Sequence, residues 1–233
     1  MKEIIRKRKS IRKYDQTPLD EATLEKVREK IAVVTPLSPE IKTMIEITTK
    51  TKGLFGIKSP HYLAFRSEEK ERAYENIGFI GQQLDLYLSE IGLGTCWLGA
   101  SNPEEKTANG MPSLICMSFG KPAEPLHRQS VSEFKRKALS EISEGSDPRL
   151  EAARLAPSGM NSQNWYFSAS DGKIHCYRKK TGLLFGAWLG NLACIDMGIA
   201  LCHIAEESES FNFTKEEGAP DKKGHLYMGT VSY

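Results

Sequence analysis

The chain has 233 residues, enough to bury a substantial core in one large domain or two small lobes. Its 39% hydrophobic and 27% charged residues are typical of a globular protein, and a net charge of +2 gives no overall reason to expect a nucleic-acid partner. Five cysteines without a CxxC pair indicate neither a disulfide framework nor a thiolate zinc site. No apolar run reaches membrane-spanning length, so we expect a cytoplasmic protein with reduced thiols.

Hydrophobic spacing predicts an alternation of helices and strands in the first half of the chain. Three helices are expected: one over residues 2–9, a second that begins after the N-cap Asp20, and a third over 74–91. A loop is expected over 53–56, and strands over 61–65 and 114–119. The 74–91 helix contains Gly81, which would allow another backbone to approach closely. It is followed by a glycine-rich segment, residues 92–100.

The second half repeats this order of elements. After a polar connecting segment, the pattern predicts a helix from Arg149, strands over 165–170 and 173–177 joined by an Asp171-Gly172 turn, a helix over 188–206 and a strand over 225–233. We therefore predict a duplicated chain with halves 1–122 and 147–233 joined by residues 123–146. Gly81 and Gly190 are placed at matching positions. Two such halves would share one cleft.

A neutral polar loop at residues 156–165 is a candidate binding element. It contains Pro157, Ser158, Asn161 and Gln163 directly before the predicted 165–170 strand. Amide and hydroxyl side chains held at the end of a sheet suit an uncharged heteroaromatic ring with several donors and acceptors. An ordinary helix-to-strand turn has the same composition, and composition alone favours the turn.

The N-terminal segment Arg8-Lys9-Ser10-Ile11-Arg12 offers three cations and a hydroxyl within five residues. Such a group could bind phosphate through charge-assisted hydrogen bonds. A solvated charged face is the alternative, because runs of charge are usually solvated.

No familiar catalytic motif is present. The glycines between residues 92 and 99 do not fit GxGxxG and follow a helix rather than a strand, so a dinucleotide fold is disfavoured. Asp196 and His203 lie seven residues apart and could share one helix face as an acid–base pair, but a buried, hydrogen-bonded histidine is the favoured interpretation. The absence of an evident nucleophile or metal site favours a protein whose chemistry belongs to a bound cofactor.

Three segments together resemble the flavin-contacting motifs of the nitroreductase-like flavoproteins. They are the Arg8-Lys9-Ser10-Ile11-Arg12 start, the glycine-rich segment ending in Cys96-Trp97-Leu98-Gly99, and the loop Pro157-Ser158-Gly159-Met160-Asn161-Ser162-Gln163-Asn164-Trp165. The resemblance implies an α+β, nitroreductase-like fold with two pseudo-symmetric half-repeats, each with a central antiparallel sheet and flanking helices. The order of the motifs resembles the branch in which two degenerate units are fused and form one site for FMN.

The resemblance also implies roles for individual residues. Arg8, Lys9, Ser10 and Arg12 would hold the phosphate, ribityl chain and pyrimidine edge, and Arg136 and Lys137 would reach the phosphate. Cys96, Trp97, Leu98 and Gly99 would face the isoalloxazine, with N–H groups near Leu98 and Gly99 at flavin N5. Pro157, Ser158, Met160, Asn161 and Gln163 would cover the ring from the opposite half. Lys9 and Asn164 depart from the family pattern, which usually has Arg or His and Pro at these positions.

By this resemblance the expected activity is an FMN-dependent NAD(P)H oxidoreductase. Hydride would pass from NADH or NADPH through flavin N5 to a small electron-poor acceptor, a nitroaromatic or a quinone, with no catalytic side chain and no metal. The expected assembly is a monomeric pseudo-dimer or a homodimer. A flavin-binding sensor or storage protein without turnover is the alternative, and a basic nucleic-acid adaptor is disfavoured by the near-neutral net charge.

Overall fold

The computed structural model describes residues 1–53, 56–180 and 186–233. Residues 54–55 of the predicted 53–56 loop lie outside the described residues. The helices are α1 (Lys2–Ile5), α2 (Glu21–Ala32), α3 (Ala73–Glu90), α4 (Leu139–Ile142), α5 (Arg149–Leu155) and α6 (Gly186–Glu207). The strands are β1 (Thr43–Thr48), β2 (Thr51–Gly53), β3 (His61–Ser67), β4 (Gly94–Leu98), β5 (Ser101–Pro103), β6 (Thr107–Ala108), β7 (Met111–Gly120), β8 (Ser143–Glu144), β9 (Trp165–Ser170), β10 (Lys173–Lys179), β11 (Asn212–Thr214) and β12 (His225–Ser232).

Local sequence signals account for many of these boundaries. Asp20 caps α2 by accepting a hydrogen bond from the Thr23 N–H at 2.8 Å. Asp171 and Gly172 both have positive φ, 51° and 71°, as the predicted two-residue turn between β9 and β10 requires. The predicted long helices, α3 and α6, and the predicted strands are confirmed to within a few residues.

The structure differs from the sequence prediction in several respects, among them the N-terminal segment, the glycine-rich segment and β1. The predicted 2–9 helix ends at Ile5, because residues 7–14 instead run beside β4 and the connecting segment. The glycine-rich segment forms β4, whose glycine Gly94 has no room for a side chain because it faces Ile11. Strand β1 was not predicted, and all of its residues are half-buried.

Two main sheets carry the two halves of the chain. The first has the order β1-β3-β7-β4, with β6 beside β7, and all of its pairs are antiparallel. The second has the order β11-β12-β10-β9-β8, in which only the β8–β9 pair is parallel. Strands β2 and β5 form a separate small sheet. The α+β fold class expected from the sequence is confirmed.

The same arrangement of elements occurs in both halves. Strands β1, β3, β7 and β4 pair in the same order as β9, β10, β12 and β11. In chain order, α3 follows β3 as α6 follows β10. This correspondence supports the predicted duplication. The exact partition of the chain into 1–122, 123–146 and 147–233 stays a prediction, and strand β8 of the connecting segment joins the second sheet.

Helices α3 and α6 pack against each other at two glycines. A Cβ added to Gly78 would overlap the carbonyl oxygen of Ile195, and one added to Gly198 would overlap that of Glu75. Each glycine therefore meets the residue three positions before the other, which makes the crossing reciprocal. The close backbone approach expected at Gly81 occurs at Gly78 instead, while Gly81 makes room for the Trp97 ring.

One hydrophobic core joins the halves. Leu63 and Phe65 of the first sheet belong to the same cluster of buried residues as Phe167 of the second sheet and Ile199 of α6. By length and composition α6 could also cross a membrane, but 67% of its most apolar window is buried inside the protein. The core helix of a globular domain has the same combination of apolar composition and burial.

The helix crossing yields a stability prediction. Gly78→Ala and Gly198→Ala would each force the two backbones apart, and overpacking of this kind costs about 1–3 kcal/mol, which outweighs the helix propensity of about 1 kcal/mol gained from alanine. Urea unfolding should therefore show a lower free energy of unfolding for both variants. Gly56→Ala is the control, since a Cβ there meets nothing within 4 Å. Unchanged stability in both helix variants would refute the proposed contact.

Candidate functional site

A cavity of about 450 Å³ lies between the two halves. Its first wall comes from the N-terminal segment and β4, and its second wall from the loop after α5 and the first half of α6. Nine of the site residues expected from the sequence line it: Ser10, Arg12, Cys96, Trp97, Leu98, Gly99, Pro157, Ser158 and Met160. The structure thus brings together three segments that are far apart in the chain.

The edge of β4 contributes peptide groups to the first wall. The Ile11 N–H donates to the Thr95 carbonyl at 2.8 Å, so the Thr95 peptide groups point away from β7. Because orientation alternates along an antiparallel pair, the peptide groups of Trp97 also point to this open edge, whereas those of Leu98 point to β7. The expected N–H donor at Leu98 is therefore better placed at Trp97.

The Trp97 indole fixes this wall against α3. Its ring stacks on Phe65 with centroids 5.4 Å apart, and its Nε1–H donates to Gln82 at 3.3 Å. Gly81 permits the contact, because a Cβ there would overlap the indole ring. The aromatic side chain is thus held by both packing and a hydrogen bond.

The loop of the second wall has an unusual backbone. Met160, Asn161 and Gln163 have φ of 52°, 56° and 48°, in the left-handed region that costs energy for residues with side chains. Gly159, the residue best able to adopt that region, does not do so; its N–H donates to Asp196 at 2.9 Å. Met160 is 81% exposed at the rim of the cavity.

The amides of Asn161 and Gln163 do not line the cavity. Asn161 accepts a hydrogen bond from Arg136 and donates to the Lys135 carbonyl at 2.6 Å. Gln163 accepts from the Lys137 N–H at 2.8 Å. These two residues therefore attach the loop to residues 135–137 of the connecting segment, and the ring contacts expected of them stay a prediction.

Arg8 and Lys9 also lie off the cavity wall. Arg8 is 1% exposed and forms an ion pair with Asp85, Nε to Oδ2 3.0 Å, while its Nη2 donates to Ser10 at 3.4 Å. The Nζ of Lys9 lies 3.8 Å from Oε2 of Glu124. Arg8 thus contacts Ser10 of the cavity wall from within a buried ion pair, and the cofactor contacts expected of Arg8 and Lys9 stay predictions.

Two guanidinium groups form a cationic cluster beside the cavity. Arg128 stacks on Phe134 with its Cζ 4.0 Å from the ring centroid and donates to the Arg8 carbonyl, and Arg136 lies 5.7 Å from the same ring. Burial, with the charge of Arg8 second, lowers the pKa of Arg128 to about 10. Burial and then the charges of Arg8, Arg128 and Arg154 lower the pKa of Arg136 to about 9.

The cluster lacks a matching negative charge at Arg136. Its Nε is buried and has no hydrogen-bond partner among the described residues. Arg128 donates to the Arg8 carbonyl and Arg136 donates to Asn161, so the cluster links the N-terminal segment of the first wall to the loop of the second wall. Desolvated guanidinium groups that repel one another favour a bound anion.

Asp196 and His203 have separate environments. His203 is fully buried, bonds to the Ala152 carbonyl at 2.9 Å and to Gln82 at 3.0 Å, and burial lowers its pKa to about 3. The interpretation of His203 as a hydrogen-bonded core residue is confirmed. Asp196 instead lines the cavity, and burial raises the pKa of its carboxyl to about 7.

Sequence reasoning did not assign Asp196, Trp188 and Arg128 to the site. Trp188 is 45% exposed at the start of the described part of α6 and lines the cavity with Leu192. The sequence does contain a signal for Trp188, because its spacing to Leu192 places both residues on one face of the predicted helix. Arg128 lies in a polar segment without periodicity, and only its contact with the N-terminal segment reveals its position.

Comparison with known proteins identifies the family. Residues 1–208 match the family model described as "Putative TM nitroreductase". The match covers most of the chain, and the protein belongs to this nitroreductase family. Membership supports a general oxidoreductase role. Among curated proteins, none matches the sequence.

Solved structures show the same fold. A structure described as a putative nitroreductase from Thermotoga maritima has a TM-score of 0.66 and 20% identity, and the similarity covers 99% of this chain and 91% of that one. A nitroreductase family protein from Clostridium difficile has a TM-score of 0.51 and 16% identity, covering 60% of this chain and 95% of that one. The nitroreductase-like fold expected from the sequence is confirmed.

The raised pKa of Asp196 predicts a pH-dependent effect on stability. The folded protein binds more protons than the unfolded chain between the ordinary value of 3.8 and about 7, so the contribution of Asp196 to stability falls as pH rises through that range. Asp196→Asn removes the titration. Relative to the native protein, we expect the free energy of unfolding of this variant to be about 2–4 kcal/mol higher at pH 8 than at pH 4, because only the native protein loses stability over this range. Urea unfolding of both proteins at both pH values tests this. If the free energies of unfolding of variant and native protein differ by the same amount at pH 4 and pH 8, the prediction is wrong.

Proposed function

We propose that the cavity binds FMN and that the protein is an NAD(P)H-dependent oxidoreductase acting on small electron-poor acceptors such as nitroaromatics or quinones. The observation that carries the proposal is the combination of a cavity of about 450 Å³ with a desolvated arginine cluster beside it. Pockets of roughly 300–1,000 Å³ hold ligands of cofactor size. A flat apolar ring with a phosphate at one end matches both features.

The cationic cluster fits the phosphate. The buried Nε of Arg136 lacks a partner among the described residues, and Arg128 lies against the same Phe134 ring. A phosphate would supply the missing acceptor and relieve the repulsion between the guanidinium groups. Arg128 and Arg136 are therefore the proposed phosphate ligands, and Arg8 acts through Ser10.

The two walls fit the ring system. Leu98 and Ile199 offer apolar surface, and the Trp97 peptide at the open edge of β4 offers hydrogen-bonding groups. Ser10 and Ser158 bring hydroxyls from opposite halves. A few placed polar groups on an otherwise apolar wall orient a heteroaromatic ligand. We keep Arg12 as the residue at the pyrimidine edge, since it is the charged residue of the N-terminal segment that lines the cavity.

When bound, FMN would supply hydride exchange between a nicotinamide donor and the acceptor. The protein would contribute binding and orientation. The exposed Met160 and Trp188 at the cavity rim leave space and apolar surface for a second aromatic molecule. Donor and acceptor would then bind in turn at the same opening. The cytoplasmic location and the monomeric or dimeric assembly stay predictions.

The first test is cofactor binding and turnover. Protein purified with added FMN should be yellow, and NADH or NADPH should bleach the flavin band at roughly 450 nm under anaerobic conditions, because hydride transfer reduces the flavin. Addition of 1,4-benzoquinone or a nitroaromatic should restore the band. A colourless protein that does not bind FMN would refute the proposal. Binding without bleaching would favour the alternative of a flavin-binding protein without turnover.

A second test separates the phosphate contact from the ring contact. Loss of one charge-assisted hydrogen bond costs about 1.5–3 kcal/mol, so Arg136→Gln should weaken FMN binding roughly 10- to 100-fold. Binding of riboflavin, which has no phosphate, should change little. Lys135→Gln is the matched control, because it removes the same charge at the exposed neighbouring residue. Equal losses for FMN and riboflavin would show that Arg136 supports the loop rather than the phosphate.

A further inference from the structure

Asp196 is an acidic side chain on the wall of an apolar cavity. It is 5% exposed, and its neighbours on the lining face of α6 are Leu192, Ile195 and Ile199. Within the described residues, the one hydrogen bond to its carboxyl comes from the Gly159 N–H at 2.9 Å. A buried carboxylate normally has a cationic partner or several donors, because desolvation disfavours the charged form.

The titratable groups around the cavity do not supply that partner. Cys96 of β4 is neutral at physiological pH, since burial raises the pKa of its thiol. Arg12 of the N-terminal segment is the other charged residue among the described lining residues, and no ion pair joins it to Asp196. The loop that contains Gly159 contributes no charged side chain to the lining.

The helices packed against α6 do not supply it either. Glu75 of α3 interacts with the Cys194 thiol on a different face of α6. Arg154 of α5 is paired with Glu151 at 2.5 Å. Among the residues that the structure describes, Asp196 therefore has no ion-pair partner, and burial raises the pKa of its carboxyl to about 7. A group that titrates near neutral pH is suited to give up a proton and to regain it.

We propose that Asp196 is the proton donor for the acceptor that is reduced in this cavity. The inference rests on the proposed function. Two-electron reduction of a quinone consumes one hydride and one proton. A bound reduced flavin would supply the hydride, and the Asp196 carboxyl would supply the proton. As the O–H bond of Asp196 breaks, an O–H bond forms at the acceptor oxygen. Water then reprotonates the carboxylate.

Asp196→Asn is the variant that isolates this role. The amide oxygen of asparagine still accepts the Gly159 N–H, so the loop stays attached, but the side chain no longer carries a transferable acidic proton. Glu206→Gln is the matched control. Glu206 lies on the same helix, burial raises the pKa of its carboxyl, and it does not line the cavity.

The first measurement compares two acceptors with the FMN-loaded protein. General acid catalysis contributes typically 10²- to 10⁴-fold, so Asp196→Asn should lower kcat/KM for 1,4-benzoquinone about 100-fold. Ferricyanide accepts electrons without a proton, and its rate should change less than about twofold because the step needs no acid. The quinone rate of the native protein should fall as pH rises through about 7, and that of Asp196→Asn should not. Glu206→Gln should behave as the native protein with both acceptors.

The second measurement needs no turnover. A flavin seated beside Asp196 would exclude water further, which favours the neutral carboxyl and draws a proton from solution. FMN binding near pH 7.5 in weakly buffered solution should therefore take up more protons with the native protein than with Asp196→Asn. Glu206→Gln should match the native protein. Subtracting the proton uptake of Asp196→Asn from that of the native protein removes the protons that the FMN phosphate itself takes up or releases.

The outcomes distinguish this inference from the proposed function. If Asp196→Asn binds and is reduced normally yet reduces quinone at the native rate, Asp196 is not the proton donor, while the proposed function stands. If quinone and ferricyanide rates fall equally, Asp196 only positions the loop and the inference is overturned. A native protein that binds no FMN refutes the proposed function itself.

Discussion

The backbones of α3 and α6 meet at Gly78 and Gly198, and the positions of both walls of the cavity follow from this contact. Neither glycine can accept a side chain without separating the helices. Since α3 carries the first sheet and α6 carries Asp196 and the apolar second wall, the crossing sets the distance between the halves. The contact is reciprocal, and the strands of the two main sheets pair in matching order.

Charged groups of two kinds lie in and beside the cavity. Arg128 and Arg136 are cations that burial and mutual repulsion disfavour, and they would be stabilised by an anion. Within the cavity, Asp196 is an acid that burial disfavours in its charged form. Both features cost stability in the isolated protein, and such costs are usual where a fold holds a ligand or a reactive group.

The connecting segment has a structural role that its polar composition conceals. It runs beside the N-terminal segment, with the Arg128 N–H donating to the Lys7 carbonyl at 2.8 Å, and it holds the loop of the second wall through residues 135–137. A single segment thus couples the N-terminal motif to the loop far downstream. The left-handed residues Met160, Asn161 and Gln163 are held in place by these contacts.

The sequence by itself determined the long helices and the β9–β10 turn, because apolar periodicity and turn chemistry are local properties of the chain. The fold class and nine residues of the cavity followed from the resemblance of three sequence motifs to the nitroreductase-like flavoproteins. Only the tertiary structure decided how several polar residues are used. Arg8 pairs with Asp85, Asn161 binds the connecting segment, and Asp196 faces the cavity while His203 on the same helix faces the core. These outcomes depend on burial and on partners distant in the sequence, and local sequence patterns contain no record of either.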